Sequence, residues 1–463
     1  MLLKSNLNNL NNLVKKENVL MSLEERYCYA QDSTNSRLEH KLPDAVVFVE
    51  TIEEVQKVLK FANKNKIPVI CRGAGTNMVG ACVCDFGGIV LNFSRMNKIL
   101  DFNSVNMTMK VQPGVVLNDI KNLAETENLF YPPDPSNFRV STIGGSIAQS
   151  SGGAKSFKYG TTKDYLLNLK VVLADGTLMT LGANTIKDAV GYHLNQLIVG
   201  SEGTLAVVVE AELKLIPKPE ETRVVTAYFD EIDEATSAVT NILRTNVFPA
   251  TIDFMDNNSI STVEKFYPCN LDVTKNAMLL IELDGFASSM EIQQERVEEA
   301  LNKANASKIE VKISKEEQEA VWTARRASFA ATAKLAPDVV SDDIIVPRDK
   351  LAAMVKGANE ICKKYGLAVC IVGHVGDGNI HPQVALNLEN DDEFKNYIKA
   401  KTEMYELATS LGGTISAEHG VGSEKISYIK QTVDEKALDY MKKIKKLFDP
   451  NNIMNTGKIF KLN

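Results

Sequence analysis

The sequence predicts an α+β protein of two main domains, and three observations predict it. At 463 residues the chain is longer than a single hydrophobic core usually serves. Residues 42 to about 217 alternate helix and strand periodicities, with glycine-and-hydroxyl segments between them. After about residue 220 strands alternate with longer helices, and Pro217 and Pro219 mark the change.

In chain order, Leu7, Leu10 and Leu13 recur at helical spacing within an asparagine-rich start. A short amphipathic helix is expected there, packed on the protein's own body rather than on a partner or membrane surface. Residues 51–66 place Ile52, Val55, Val58, Leu59 and Ala62 on one helical face, and Thr51 with Glu54 fits a reciprocal N-terminal cap. Pro68-Val69-Ile70 is a short strand that breaks at Arg72-Gly73-Ala74-Gly75-Thr76-Asn77, and residues 88–93 form the next strand. Pro113-Gly114 turns the chain before a helix over 117–126, and Tyr131-Pro132-Pro133-Asp134-Pro135-Ser136 is helix-hostile loop. Residues 142–153 read as a second glycine-and-hydroxyl loop. Apolar runs at 169–173 and 178–181 flank Asp175-Gly176, a hairpin signal. Gly200-Ser201-Glu202-Gly203-Thr204 precedes a valine-rich strand over 206–215.

Beyond residue 220, strands are expected at 223–229, 277–283 and 367–372. Helices are expected at 230–244, 290–304, 315–334, 349–365, 391–410 and 434–447, with Gly412-Gly413 stopping the fifth of these.

Composition narrows the function. A net charge of −7 and a pI near 5.5 argue against a nucleic-acid-binding face. Seven scattered cysteines read as reduced thiols of a cytoplasmic protein. Only Cys82 and Cys84 are close, a pair that is either two buried thiols or a redox or metal site. No apolar run approaches a membrane span, and the N-terminus lacks the apolar core of a signal peptide.

Two features carry chemistry. Glycine loops let backbone N–H groups turn toward an anion, and three of them in one domain suggest a long, phosphate-bearing cofactor. Neither the nicotinamide-type fingerprint nor the P-loop is present, and any one loop alone is equally a tight turn. The second feature is histidine placement. Of five histidines, three fall in Gly373-His374-Val375-Gly376-Asp377-Gly378-Asn379-Ile380-His381 and Ala417-Glu418-His419-Gly420. His374 and His381 straddle a turn, so two adjacent strands could aim both at one pocket. With Glu418 they make a three-ligand set with an open position. The bland reading is a hairpin turn with two satisfied polar residues.

The segments Arg72-Gly73-Ala74-Gly75-Thr76-Asn77, Pro132-Pro133-Asp134-Pro135, Thr142-Ile143-Gly144-Gly145 and Val199-Gly200-Ser201-Glu202-Gly203-Thr204 resemble the FAD-binding domain of the vanillyl-alcohol-oxidase, or PCMH-type, flavoproteins. The C-terminal half resembles the FAD-linked oxidase domain of D-lactate dehydrogenases, the glycolate oxidase FAD subunit and D-2-hydroxyglutarate dehydrogenases. The resemblance implies a PCMH-type FAD-binding domain over 42–219 and a ferredoxin-like cap, or substrate, domain over 220–447. An N-terminal helical segment would occupy 1–41, and 448–463 would return to the flavin domain.

It further implies FAD with its pyrophosphate on the Arg72, Gly73, Ala74, Gly75, Thr76 and Asn77 loop. Pro133, Asp134, Ser136, Thr142, Gly144, Gly145, Ser150 and Gly153 would line more of the cofactor. Gly200, Glu202 and Gly203 would complete the lining, with Asn455 at the isoalloxazine ring. Relatives with covalent flavin commonly carry a histidine where Thr76 stands, so FAD is expected without a covalent link. By the same resemblance His374, His381 and Glu418 hold a divalent metal, zinc or else iron(II) or manganese. His419 is the base, and Arg325, three residues after Trp322, clamps the substrate carboxylate. Asn379 and Gln383 are expected as substrate contacts. Ser341 stands where the hydroxyglutarate enzymes use a lysine, which disfavours a dicarboxylate.

The expected reaction is FAD-dependent oxidation of a D-2-hydroxyacid, D-lactate first and glycolate or D-2-hydroxyglutarate after it. Electrons would leave to an electron-transferring flavoprotein, an iron–sulfur subunit or quinone, because no cysteine spacing suits a cluster in this chain. A partner could also hold the protein at a membrane. Two rivals remain on the sequence: an oxidase of the same fold, and a non-catalytic electron-transfer subunit within an electron-transferring flavoprotein complex. Rapid anaerobic flavin reduction with slow reaction in air counts against the first. Absence of reduction by any 2-hydroxyacid favours the second.

Overall fold

In the computed structural model, residues 9–37 and 41–462 are described. Leu10 and Val14 are buried in one core with Val47, Val58 and Leu91, so the N-terminal segment packs on its own body; Leu7 lies outside the described residues.

The first half holds a four-stranded and a five-stranded sheet. Strands Ala45–Phe48 and Val69–Arg72 both run parallel to the central Ile89–Asn92 strand. These strands read as apolar runs because both faces are covered. Helix Ile52–Asn65 connects two of them, and Thr51 accepts from the Glu54 N–H. The expected reciprocal cap is displaced by one residue, since Glu54 accepts from the N–H of Glu50 instead. The hairpin around Gly176 forms as expected, pairing Leu166–Val172 with Leu178–Gly182.

Residues 142–153 differ from the expected loop. Helix Ile143–Gln149 forms there, with Thr142 as its N-cap and Ser150 in the left-handed region as its C-cap. Gly144 and Gly145 weaken the helical signal in the sequence. Tertiary packing overrides that weakness, because a side chain at Gly144 would meet Pro113 at 2.7 Å.

The second half is built on an eight-stranded, mainly antiparallel sheet. Its first four strands are Glu221–Phe229, Thr251–Asp256, Ala277–Gly285 and Lys308–Lys312. Numbered along the chain they lie side by side as 4-1-3-2. Helices Ile232–Leu243 and Met290–Lys303 follow the first and third, giving the ferredoxin-like β-α-β-β-α-β arrangement with an extra helix, Asn257–Phe266, inserted between the second and third strands. Ala368–His374 and Asn379–Leu386 extend the sheet as an antiparallel hairpin.

Alternation along these strands sets where the chemistry faces. Ile252, Phe254, Ile371, Ile380 and Val384 enter the large core under the helices. Their neighbours Asp253, His374, His381 and Gln383 therefore share the opposite face. The expected helix over 315–334 is two helices, Lys315–Arg326 and Ser328–Thr332, meeting at Ala327. Ala324 and Trp322 pack the first against that second face.

The C-terminal segment returns to the first half. Val69 exchanges backbone hydrogen bonds with this segment, donating to Ile453 and accepting from Asn455. Lys445, buried, donates to Asp449 at 2.5 Å and to the carbonyls of Thr204 and Met454.

Candidate active site

His374 ends one strand and His381 sits on its partner, across the turn Gly376-Asp377-Gly378. Gly378 has φ +91, and a Cβ there would lie 2.1 Å from the Val346 carbonyl oxygen, so only glycine fits this turn. Glu418 approaches from the 416–420 loop, with Oε1 3.7 Å from His374 Nε2 and 3.5 Å from His381 Nε2. One donor atom from each of these three residues lies within 4.8 Å of the others. That spacing suits a single divalent ion with positions left for substrate. The His419 ring stacks on His381 at 5.2 Å, and its Nδ1 is buried with no hydrogen-bond partner. Asp343, His381 and His419 form a second possible ligand group, which shares His381 with the first.

Two buried aspartates, not singled out from the sequence, hold this cluster. Asp253 Oδ1 lies 2.6 Å from His374 Nδ1, and its Oδ2 lies 2.7 Å from Arg325 Nε. The Arg325 contact is an ion pair without an aligned N–H, since Nε makes no hydrogen bond. Asp343 Oδ2 accepts from the Ser416 hydroxyl and from the backbone N–H groups of Ala417, Glu418 and His419, at 2.7–2.9 Å. This carboxylate gathers the loop that presents Glu418 and His419.

Charge follows the same wiring. Burial opposes protonation of His374, but Asp253 and Glu418 outweigh it and hold its pKa well above the usual value. Burial brings His381 down to about 4. Burial also works against ionisation of Asp253, which Arg325 and His374 nevertheless keep below the usual carboxylate range. Asp343 is held well below that range, with burial overcome by His419 and Lys425. Burial lifts Asp377 in the turn to about 6.

Arg325, Gln383, Ser341, His374, His381 and His419 line one cavity of about 700 Å³. Gln383 accepts through Oε1 from the hydroxyls of Ser328 and Thr332. Asn379 does not line that cavity. Its amide donates to Asp343 Oδ1 and to the Ile344 carbonyl, so the structure puts it behind the site rather than at the substrate.

A second cavity is lined by Gly73, Ala74, Gly75, Thr76, Asn77, Ser136, Thr142, Gly145, Glu202, Gly203 and Asn455. Thr76, Ser136, Glu418 and His419 belong to both cavities, which therefore meet at the histidine cluster. Arg72 and Gly144 line an adjoining pocket with Gly203 and Val207. Asp134 borders the first cavity and bridges Gly153, and Ser150 caps the neighbouring helix; Pro133 and Gly200 line neither of the two main cavities.

The residues fit a dinucleotide. A Cβ at Gly73 would lie 2.1 Å from Thr142 Oγ1, so the loop and the helix cap can close only around a bare backbone. Ser146 Oγ, Gln149 Oε1 and Asn455 Oδ1 border the cavity and are buried without partners. Thr76 carries a hydroxyl bonded to Ser141. Cys82 and Cys84 are free, and burial raises both thiols to about 12, as expected of packed rather than reactive cysteines. Among the described residues no helix is long and apolar enough to cross a membrane.

Comparison with known proteins gives matching results. Residues 43–182 match the family described as FAD binding domain, and residues 218–459 match FAD linked oxidases, C-terminal domain. The chain is 40% identical over 435 residues to the glycolate oxidase subunit GlcD of Bacillus subtilis, covering 94% of this chain and 92% of that one. It is 35% identical to a D-lactate dehydrogenase of Anaerostipes hadrus, over 90% of this chain and 89% of that one. The structure of p-cresol methylhydroxylase with substrate bound superimposes with a TM-score of 0.84 at 16% identity, covering 99% of this chain and 97% of that one, which shows a shared fold.

Proposed function

The chain belongs to the FAD-linked oxidases, and from that premise we propose that it oxidises a small D-2-hydroxyacid, D-lactate first, to the 2-oxoacid. One observation carries this reading. His374, His381, Glu418 and His419 face a guanidinium, Arg325, across a single cavity that meets the cofactor cavity.

In this reading Arg325 binds the substrate carboxylate, a planar pairing suited to guanidinium. His374, His381 and Glu418 would hold the divalent metal, zinc or else iron(II) or manganese, which would supply Lewis acidity to the 2-hydroxyl group. His419 removes the hydroxyl proton as general base. The surrounding walls orient the α-carbon toward the cofactor cavity. Non-covalent FAD supplies the hydride-accepting chemistry when bound.

A second reading has glycolate as substrate, and the 40% identity to a glycolate oxidase subunit favours it. Electrons would pass onward to an electron-transferring flavoprotein or an iron–sulfur subunit. Support for a partner is that the cysteines are free and make no cluster among the described residues.

The test is anaerobic mixing of the FAD- and metal-loaded protein with D-lactate, L-lactate, glycolate and D-2-hydroxyglutarate, following flavin absorbance. Rapid bleaching by D-lactate is expected, and bleaching by glycolate alone selects the second reading. Absence of bleaching by all four overturns both.

A further inference from the structure

We propose that Asp253 is a positioning residue that sets two parts of the active site at once: the metal-binding orientation of His374 and the carboxylate-binding orientation of Arg325. The inference rests on the reading above and deepens it.

The geometry is specific. Asp253 is 1% exposed and has no solvent to satisfy its charge. Its two oxygens are divided between two partners, Oδ1 to His374 Nδ1 at 2.6 Å and Oδ2 to Arg325 Nε at 2.7 Å. The strand register makes the first contact obligatory, because Asp253 lies directly opposite His374 in the antiparallel pair. Asp253 accepts the Nδ1 proton, so Nε2 is the nitrogen that a metal would take in exchange for its proton, and it faces Glu418 Oε1 and the shared ligand position. The second oxygen reaches a different element, helix Lys315–Arg326, and holds the guanidinium at the cavity wall by Nε, leaving its terminal nitrogens for a substrate carboxylate. One buried carboxylate thus ties the metal position to the anion position.

Asp253→Asn keeps the shape and removes the charge. An amide has one acceptor and one donor end, so whichever way it sits, an NH2 group faces either His374 or Arg325. Zinc titration of the FAD-loaded protein should show a dissociation constant about tenfold to 100-fold higher. With zinc saturating, the KM for the hydroxyacid should rise by about tenfold or more, and kcat should change less. Arg325→Met supplies the control: it should raise KM and leave zinc affinity as in the wild type. The two substitutions together should raise KM less than the product of their separate effects, because Asp253 acts on substrate through Arg325. A merely structural role would not produce that split.

Unchanged zinc affinity in Asp253→Asn overturns the proposal, as do independent KM effects in the double variant. If the variant does not fold, a crystal structure of the wild-type holoprotein with FAD, zinc and oxalate decides, and an Asp253 that fails to touch both partners overturns the proposal. Zinc affinity is read without turnover. A shifted zinc affinity with no flavin reduction by any 2-hydroxyacid would therefore sink the functional reading and leave the role toward His374 standing.

Discussion

Replacing Asp343 by asparagine should detach the loop that presents Glu418 and His419. In the native site one carboxylate oxygen accepts four donors, the Ser416 hydroxyl and three consecutive backbone N–H groups, and the other oxygen accepts Asn379 Nδ2 at 2.9 Å. Asparagine has nearly the same shape, but its amide must either offer NH2 to Asn379 or turn NH2 toward the four loop donors. Hydrogen bonds to a charged acceptor contribute about 1 kcal/mol more than neutral ones, so four weakened bonds lose about 4 kcal/mol. Relaxation of the loop recovers part of this, and a net loss of about 3–4 kcal/mol is expected. Lys425, buried nearby and donating to the Asp343 carbonyl, also loses a neighbouring negative charge. Two assays read the result on FAD-loaded protein. Denaturant unfolding should show the lost stability, and zinc titration should show weaker binding because Glu418 is no longer held. A variant with the wild-type unfolding midpoint and wild-type zinc affinity would refute the claim that this carboxylate organises the loop.

His419→Ala should slow anaerobic flavin reduction by about 100-fold or more while FAD stays bound, because Asp343 holds the loop through backbone groups that alanine keeps; near-normal reduction removes His419 as the base. Metal loading should release about one proton near pH 7, because the raised pKa keeps His374 protonated until a metal takes its Nε2. Apparent affinity should then rise with pH through the neutral range; calorimetry in buffers of different ionisation enthalpy reads this, and zero proton release contradicts it. Acid precipitation should leave all flavin in the supernatant, since Thr76 offers only a hydroxyl already bonded to Ser141; a yellow pellet would show a covalent link.

The elements legible in the sequence were those whose own residues carry the signal. Helix Leu117–Thr126 and helix Asp391–Ser410 match their expected bounds, because each has an apolar face of its own and a breaker nearby. The helix Ile143–Gln149 was hidden for the opposite reason. One of its two glycines, Gly144, is there for close packing on Pro113, a requirement that lies in another segment. Strand Thr251–Asp256 is short and carries no turn signal of its own, although it alternates: Ile252 and Phe254 enter the core while Asp253 faces the site.

The same distinction separates the site residues. His374, His381, Glu418 and His419 were legible because imidazoles are rare in this chain and three of its five fall in two short glycine-flanked segments. Asp253 and Asp343 carry no such local mark, since aspartates are common and neither lies within a glycine-rich segment. Their sign was available in a weaker form: a carboxylate set among apolar strand residues is costly to bury unless something pairs it. The Asp343 partners include backbone N–H groups 74 to 76 residues away, and the Asp253 partners lie 121 residues on in His374 and in the Arg325 helix. Asn379 shows the converse. It sits inside the informative segment, which points it at the substrate, yet its amide secures Asp343. Proximity in sequence marks where a site is, while the division of labour within it depends on which donors each buried carboxylate must satisfy. Asp253 and Asp343 between them hold Arg325, His374 and the Glu418–His419 loop in place, so the cluster's geometry is set by two residues that the sequence does not advertise.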